Sequence, residues 1–162
     1  MDDSELLTTS VEAVETAQAW TEWVSPERQR SQARKFLDFV GLDLPDCPWA
    51  DDAPELRQLD VYCARMFPDM PTATAAANAD IADQCICLIG VLFAEFTGAR
   101  WVPYTWFGRE RSFYDEINPL LDYPFTDEGD TAWGMMVDVV AHGFSSVAGL
   151  LREYTDRHDF DV

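Results

Sequence analysis

Apolar residues at Ile81, Cys85, Leu88, Ile89, Leu92, Phe93 and Phe96 recur at offsets of three and four. That spacing puts them on one face of a helix. Cys87, Val91 and Ala94 make the opposite side apolar too, and no charged residue falls between Cys85 and Ala94. A helix apolar all round is buried on several sides, so this stretch reads as the central helix of the core. Its ten uninterrupted apolar or small residues fall well short of the roughly 18–20 that a membrane span needs. Gly98 stands where a glycine ends a helix in a left-handed turn.

A change of period follows. Arg100–Trp106 and Arg111–Ile117 are rich in aromatic and β-branched residues and read as a hairpin, with Phe107-Gly108-Arg109-Glu110 as its turn. Pro103 has no N–H to give a ladder and assigns the first strand to an edge.

Upstream, Leu7, Val11 and Val14 carry helical spacing, and Trp20, Trp23 and Val24 follow. Ser25-Pro26-Glu27 is a helix start: a capping residue, proline at the first position, an acid in the first turn. That helix runs to Val40 and stops at Gly41. Its apolar side is Ala33, Phe36, Leu37 and Val40. Arg28, Arg30, Arg34 and Lys35 make it locally basic, with the acidic first helix as the simplest internal partner. Residues 42–54 are a proline-rich loop. Asp51 or Asp52 then caps a third helix, from Pro54 to about Phe67, with Leu56, Leu59, Cys63 and Met66 buried. Pro68 and Pro71 break the chain, and the alanine-rich run 73–79 starts the central helix. Residues 118–126 read as a loop whose Leu120, Leu121, Tyr123 and Phe125 pack onto the core or form a binding rim. A capping run at 127–131 opens one last helix to about Tyr154, with Trp133, Met136, Val137, Val140, Phe144, Val147, Leu151 and Tyr154 as its stripe. Residues 156–162 read as a polar, frayed tail. The order predicts a single α+β domain of about five helices with a small antiparallel hairpin between the central and last helices.

Composition sharpens the picture. The 162 residues are 48% apolar and include ten Phe and six Trp, enough for a core. The net charge of −19 disfavours nucleic acid and anionic membranes as direct partners and favours a basic protein. Cys47, Cys63, Cys85 and Cys87 are expected as reduced thiols. The Met-Asp-Asp-Ser-Glu start has neither the basic nor the apolar part of a signal peptide, so a cytoplasmic location is expected.

Candidate chemistry is sparse. His142, with Asp138 one turn earlier and Ser145 and Ser146 just after, supplies the residue types of a hydrolytic triad. The serines are not in a nucleophile elbow, and an Asp–His pair on a helix surface is the better reading. Cys63, Cys85, Cys87 and His142 lack metal-site spacing, and buried thiols acting as small hydrophobes explain them. Asp156, His158, Asp159 and Asp161 read as a solvated acidic tail. No cofactor motif is present, and a non-enzymatic protein is expected. Glu95, on an apolar helix, calls for a partner, and Arg100, Arg109 and Arg111 are near in sequence. A structural ion pair between helix and hairpin is the expectation, with Glu95 and Arg100 as its polar residues.

The aromatics Trp101, Tyr104, Trp106, Phe107, Phe113 and Tyr114 exceed what one side of a two-stranded sheet buries. Either helices cover both faces, or the outer face binds a protein. The candidate contact residues are Trp101, Tyr104, Trp106 and Arg109, with Tyr114, Asp115, Glu116 and Asp122. Asp115 and Glu116, adjacent on a strand, are expected to face opposite sides.

The motif Gly90-Val-Leu-Phe-Ala-Glu95, then Gly98-Ala-Arg-Trp101, a hairpin, Asn118-Pro119, Tyr123-Pro124-Phe125 and a last long helix resembles a group of small uncharacterised bacterial domains. The resemblance covers roughly residues 78–150. Several of those domains look like immunity or accessory proteins encoded near secreted toxins. The resemblance therefore implies a non-enzymatic binder and carries over no catalytic residue. The leading expectation is an acidic protein that neutralises a basic toxin or effector. A DNA mimic that occupies a nucleic-acid-binding protein is the second. A small-molecule binder or enzyme built on the Glu95–arginine region is the third.

Overall fold

The computed structural model describes residues 17–104 and 112–161. The fold is α+β, mostly helical with a small antiparallel sheet. Helix α1 occupies 17–24 in the described part. Then come α2 (Pro26–Val40), α3 (Pro54–Met66), α4 (Met70–Ala73), a single 3-10 turn (Ala76–Asn78) and α5 (Ala79–Thr97). Strands β1 (Arg100–Pro103), β2 (Pro119–Asp122) and β3 (Asp130–Thr131) precede α6 (Ala132–His142) and α7 (Phe144–Asp161).

Helix α5 is the core helix. Eleven of its residues are buried, including Ile86, Leu88, Ile89 and Phe93. Helix α2 packs along one side of it and α7 against another. Ser25 precedes α2 and Pro26 is its first residue, as the sequence predicts, although the Ser25 side chain makes no capping bond. Gly41 and Gly98 close α2 and α5 in left-handed geometry. Helix α3 also starts at its proline. Its N-cap is Ala53, not Asp51 or Asp52. The alanine run does not begin α5: Asp69 caps the short α4 by accepting from the Thr72 N–H at 2.7 Å, and the chain turns again before Ala79.

The strand pairing differs from the sequence expectation. The partner of β1 is Pro119–Asp122, not Arg111–Ile117, and Trp101 faces Leu121. Residues 113–116 are bends. The expected turn at 107–110 lies outside the described residues. Pro103 and Pro119 stand opposite each other at the end of the ladder, where two missing N–H groups do least harm. The stretch expected as a loop is therefore a central strand flanked by β1 and β3, with Leu121 and Tyr123 buried.

The expected single last helix is two. Gly143 (φ 86°, ψ 170°) breaks it. Within α6, Met135, Met136 and Val139 are buried, while Val137, expected in the apolar stripe, is 40% exposed. Helix α7 also runs to Asp161, so its backbone stays helical where a frayed tail is expected.

Candidate functional site

One carboxylate ties four segments together. Asp83, on the buried face of α5, is 6% exposed. Its Oδ1 accepts from Trp23 Nε1 at 2.9 Å and from the Tyr114 hydroxyl at 2.5 Å. Its Oδ2 accepts from Arg28 Nη2 at 2.6 Å and from Gln32 Nε2 at 2.7 Å. The donors come from α1, from α2 and from the bends after the undescribed segment. Burial by itself pushes the Asp83 carboxyl up. The bonds from Tyr114, Gln32 and Trp23, with the Arg28 charge, outweigh burial and hold it below the usual range. Burial and the same carboxylate drive the Tyr114 hydroxyl well up, so it remains a donor. Arg28 also reaches Cys87 Sγ at 3.6 Å. Burial raises that thiol far above its ordinary value, which keeps it protonated and inert.

This network covers the Trp101 and Tyr114 part of the aromatic cluster, while Phe107 lies outside the described residues. Trp23 packs edge-on against Trp101 (5.2 Å between centroids) and Tyr114 (5.4 Å). Helix α1 thus lies over the cluster, leaving Trp101 and Tyr114 half-buried. The Trp101 indole sits directly on Gly90. A Cβ there would come 2.1 Å from Trp101 Nε1, so this approach of β1 to α5 requires glycine. Tyr104 is half-buried, and its N–H donates to the Asn118 carbonyl at 2.8 Å. Trp106 and Arg109 lie outside the described residues.

Two concavities flank the cluster. One, of about 310 Å³, has Ala19, Trp23, Tyr114 and Ile117 as walls and Asp115 and Glu116 as its acidic residues. Both carboxylates are exposed. They are neighbours on a bend, not on a strand, so both border one hollow instead of facing opposite sides. The other, of about 350 Å³, lies between α2, α5 and β1 and includes Glu95, Arg100 and Trp101.

Comparison of the chain with protein-family models, with characterised proteins and with solved structures finds no match.

Glu95 and Arg100 do not pair, and Arg109 and Arg111, the other arginines expected near Glu95, lie outside the described residues. Glu95 is exposed and makes no ion pair among the described residues, while Arg100 pairs with Asp122 at 3.6 Å across the β1–β2 edge. With side chains 78% and 42% exposed, that pair contributes little. Asp83, which sequence reasoning passed over, is the acid that locks α5 to α1, α2 and the bends before β2. The triad residues are also parted: Ser145 binds Asp60, and Asp138 accepts from Ser146 Oγ at 3.0 Å. His142 is exposed at the end of α6. The Cys85 thiol lies against that of Cys63. Among the described residues, no group of three or more His, Cys, Asp or Glu is placed to hold a metal, and no helix is long and apolar enough to cross a membrane.

Proposed function

We propose that the protein is a non-enzymatic acidic binder of a basic protein partner, most concretely an immunity protein that neutralises a basic toxin or effector. The observation that carries this reading is the hollow beside Asp115 and Glu116. Its walls are apolar and aromatic, and two exposed carboxylates border it. A lysine or arginine fits such a place: its aliphatic stem lies along Ile117 and Trp23, and its charged head meets the carboxylates. The Asp83 network fixes Trp23 and Tyr114 beforehand, so little ordering is left to binding. The net charge of −19 steers a cationic protein toward the surface.

The test is affinity capture from the organism's own lysate at low and high salt. The wild type is compared with an Asp115→Lys, Glu116→Lys double variant. One basic protein held at low salt, released at high salt and lost from the variant is the expected result. A catch that the variant retains in full, or no enriched protein, overturns the reading.

A further inference from the structure

The hollow between α2, α5 and β1 shares no residue with the one beside Asp115 and Glu116. Its volume, about 350 Å³, lies within the roughly 300–1,000 Å³ typical of small-molecule sites. Val24, Pro26, Val91, Ala94 and the Trp101 indole give it apolar walls. Its polar groups are Gln29, Arg30, Glu95 and Arg100.

Those groups have little else to do. Arg30 and Glu95 make no ion pair among the described residues, and Arg100 is held only by the long, exposed contact to Asp122. Gln29 is 5% exposed. Its Nε2 donates to the Trp23 carbonyl at 2.7 Å, while its Oε1 has no partner. Trp101 Nε1 has none either, and both atoms are enclosed, the indole nitrogen against Gly90. An apolar hollow thus carries two exposed guanidinium groups and one exposed carboxylate.

We infer that this hollow binds an apolar or aromatic α-amino acid as its zwitterion. The ligand carboxylate meets Arg30 and Arg100. The ammonium meets Glu95. The ligand side chain covers Val24, Val91 and Ala94. A purely anionic ligand leaves Glu95 without a counter-charge, and a cation is repelled by the arginines. A hydrocarbon leaves all the polar groups unmatched. Only a ligand with both charges and an apolar body matches the whole lining.

Isothermal titration of the full chain with L-phenylalanine, L-leucine, 3-phenylpropionate and phenethylamine tests this. The last two lack the ammonium and the carboxylate respectively. The amino acids are expected to bind at one site, with each truncated probe weaker by roughly tenfold or more. Glu95→Gln is expected to weaken phenylalanine by a similar factor and leave 3-phenylpropionate unchanged. Ala94→Trp fills the hollow from an exposed position and is expected to abolish binding, with thermal unfolding verifying that the variant folds. No binding of either amino acid at millimolar concentration overturns the inference. So does equal affinity for 3-phenylpropionate, or affinity unchanged in both variants.

Discussion

The Tyr114 hydroxyl donates to Asp83 Oδ1 at 2.5 Å across 31 residues of sequence. This bond joins the bends before β2 to the core helix, and the same oxygen takes the Trp23 indole N–H. Removing one donor leaves three. Tyr114→Phe is therefore expected to destabilise by about 1–2 kcal/mol. Asp83→Asn leaves Arg28 without its counter-charge and puts an NH₂ group among donors. About 2–4 kcal/mol is expected, toward the lower side for a broken buried pair, because the Arg28 side chain is 36% exposed. Urea unfolding of both variants and of the double variant checks this, and the double is expected to fall short of the sum.

Asp83 and Asp130 should respond oppositely to acid. Asp83 is held below the ordinary carboxylate range despite burial. Its contribution is complete above the unfolded aspartate value near 4 and is lost as pH falls through its lower folded value. Asp130 is different. Burial raises it, Asp138 and Glu128 add to the rise, and the Tyr123 hydroxyl bond at 2.7 Å only partly opposes them. The folded state holds that proton more tightly, so acidification from neutral pH toward about 4 stabilises through Asp130. Asp130→Asn is expected to flatten the stability profile above about pH 4, and Asp83→Asn to flatten the fall below it. Unfolding midpoints measured between neutral pH and pH 3 distinguish the two.

The helices were legible because their signals are local. Pro26, Pro54, Gly41 and Gly98 mark starts and stops where the chain has few alternatives. The strand partner was not legible, because Pro119–Asp122 contains two prolines' worth of loop signal around it and pairs through long-range contacts that no local pattern encodes. The break at Gly143 was hidden by an apolar stripe that continues across it. Asp83 carries no such local mark, since the acid set within the apolar run is Glu95. A signal did exist: Arg28 and Gln32 stand one turn apart on α2 and put polar groups on its inner side. Gln29 is buried beside them. Polar groups facing a core need an anion there, and Asp83 is the acid on α5 that meets them.

Gly90 offers a test of the β1–α5 contact. Trp101 occupies the space a side chain would need, and the ring is held by Trp23 at 5.2 Å. Gly90→Ala has to push the indole and β1 outward. The usual effect of overpacking is about 1–3 kcal/mol, and the gain in helix propensity of about 1 kcal/mol offsets part of it. A net loss of stability is expected, together with a change in tryptophan fluorescence. Trp101→Ala in the Gly90→Ala background is expected to remove the clash, so the alanine then costs nothing further.

Asp60 controls the start of α7 from another helix. Its Oδ1 accepts from the Ser145 N–H at 2.8 Å and its Oδ2 from the Ser145 hydroxyl. An acid at a helix N-terminus satisfies a free N–H and suits the helix dipole. Gly143 makes room for it: φ 86° with ψ 170° is a conformation nearly confined to glycine, and an added Cβ would stand 3.0 Å from Asp60 Oδ1. Asp60→Ala is expected to destabilise by about 1–2 kcal/mol through the lost cap. Gly143→Ala is expected to destabilise by about 1–3 kcal/mol through backbone strain, with crowding of Asp60 adding to it. The strain term does not need Asp60, whereas the crowding term does. In the Asp60→Ala background, Gly143→Ala should therefore still destabilise, but by less than it does alone. Equal effects in both backgrounds would show that the glycine serves the backbone turn only and not the approach of the carboxylate.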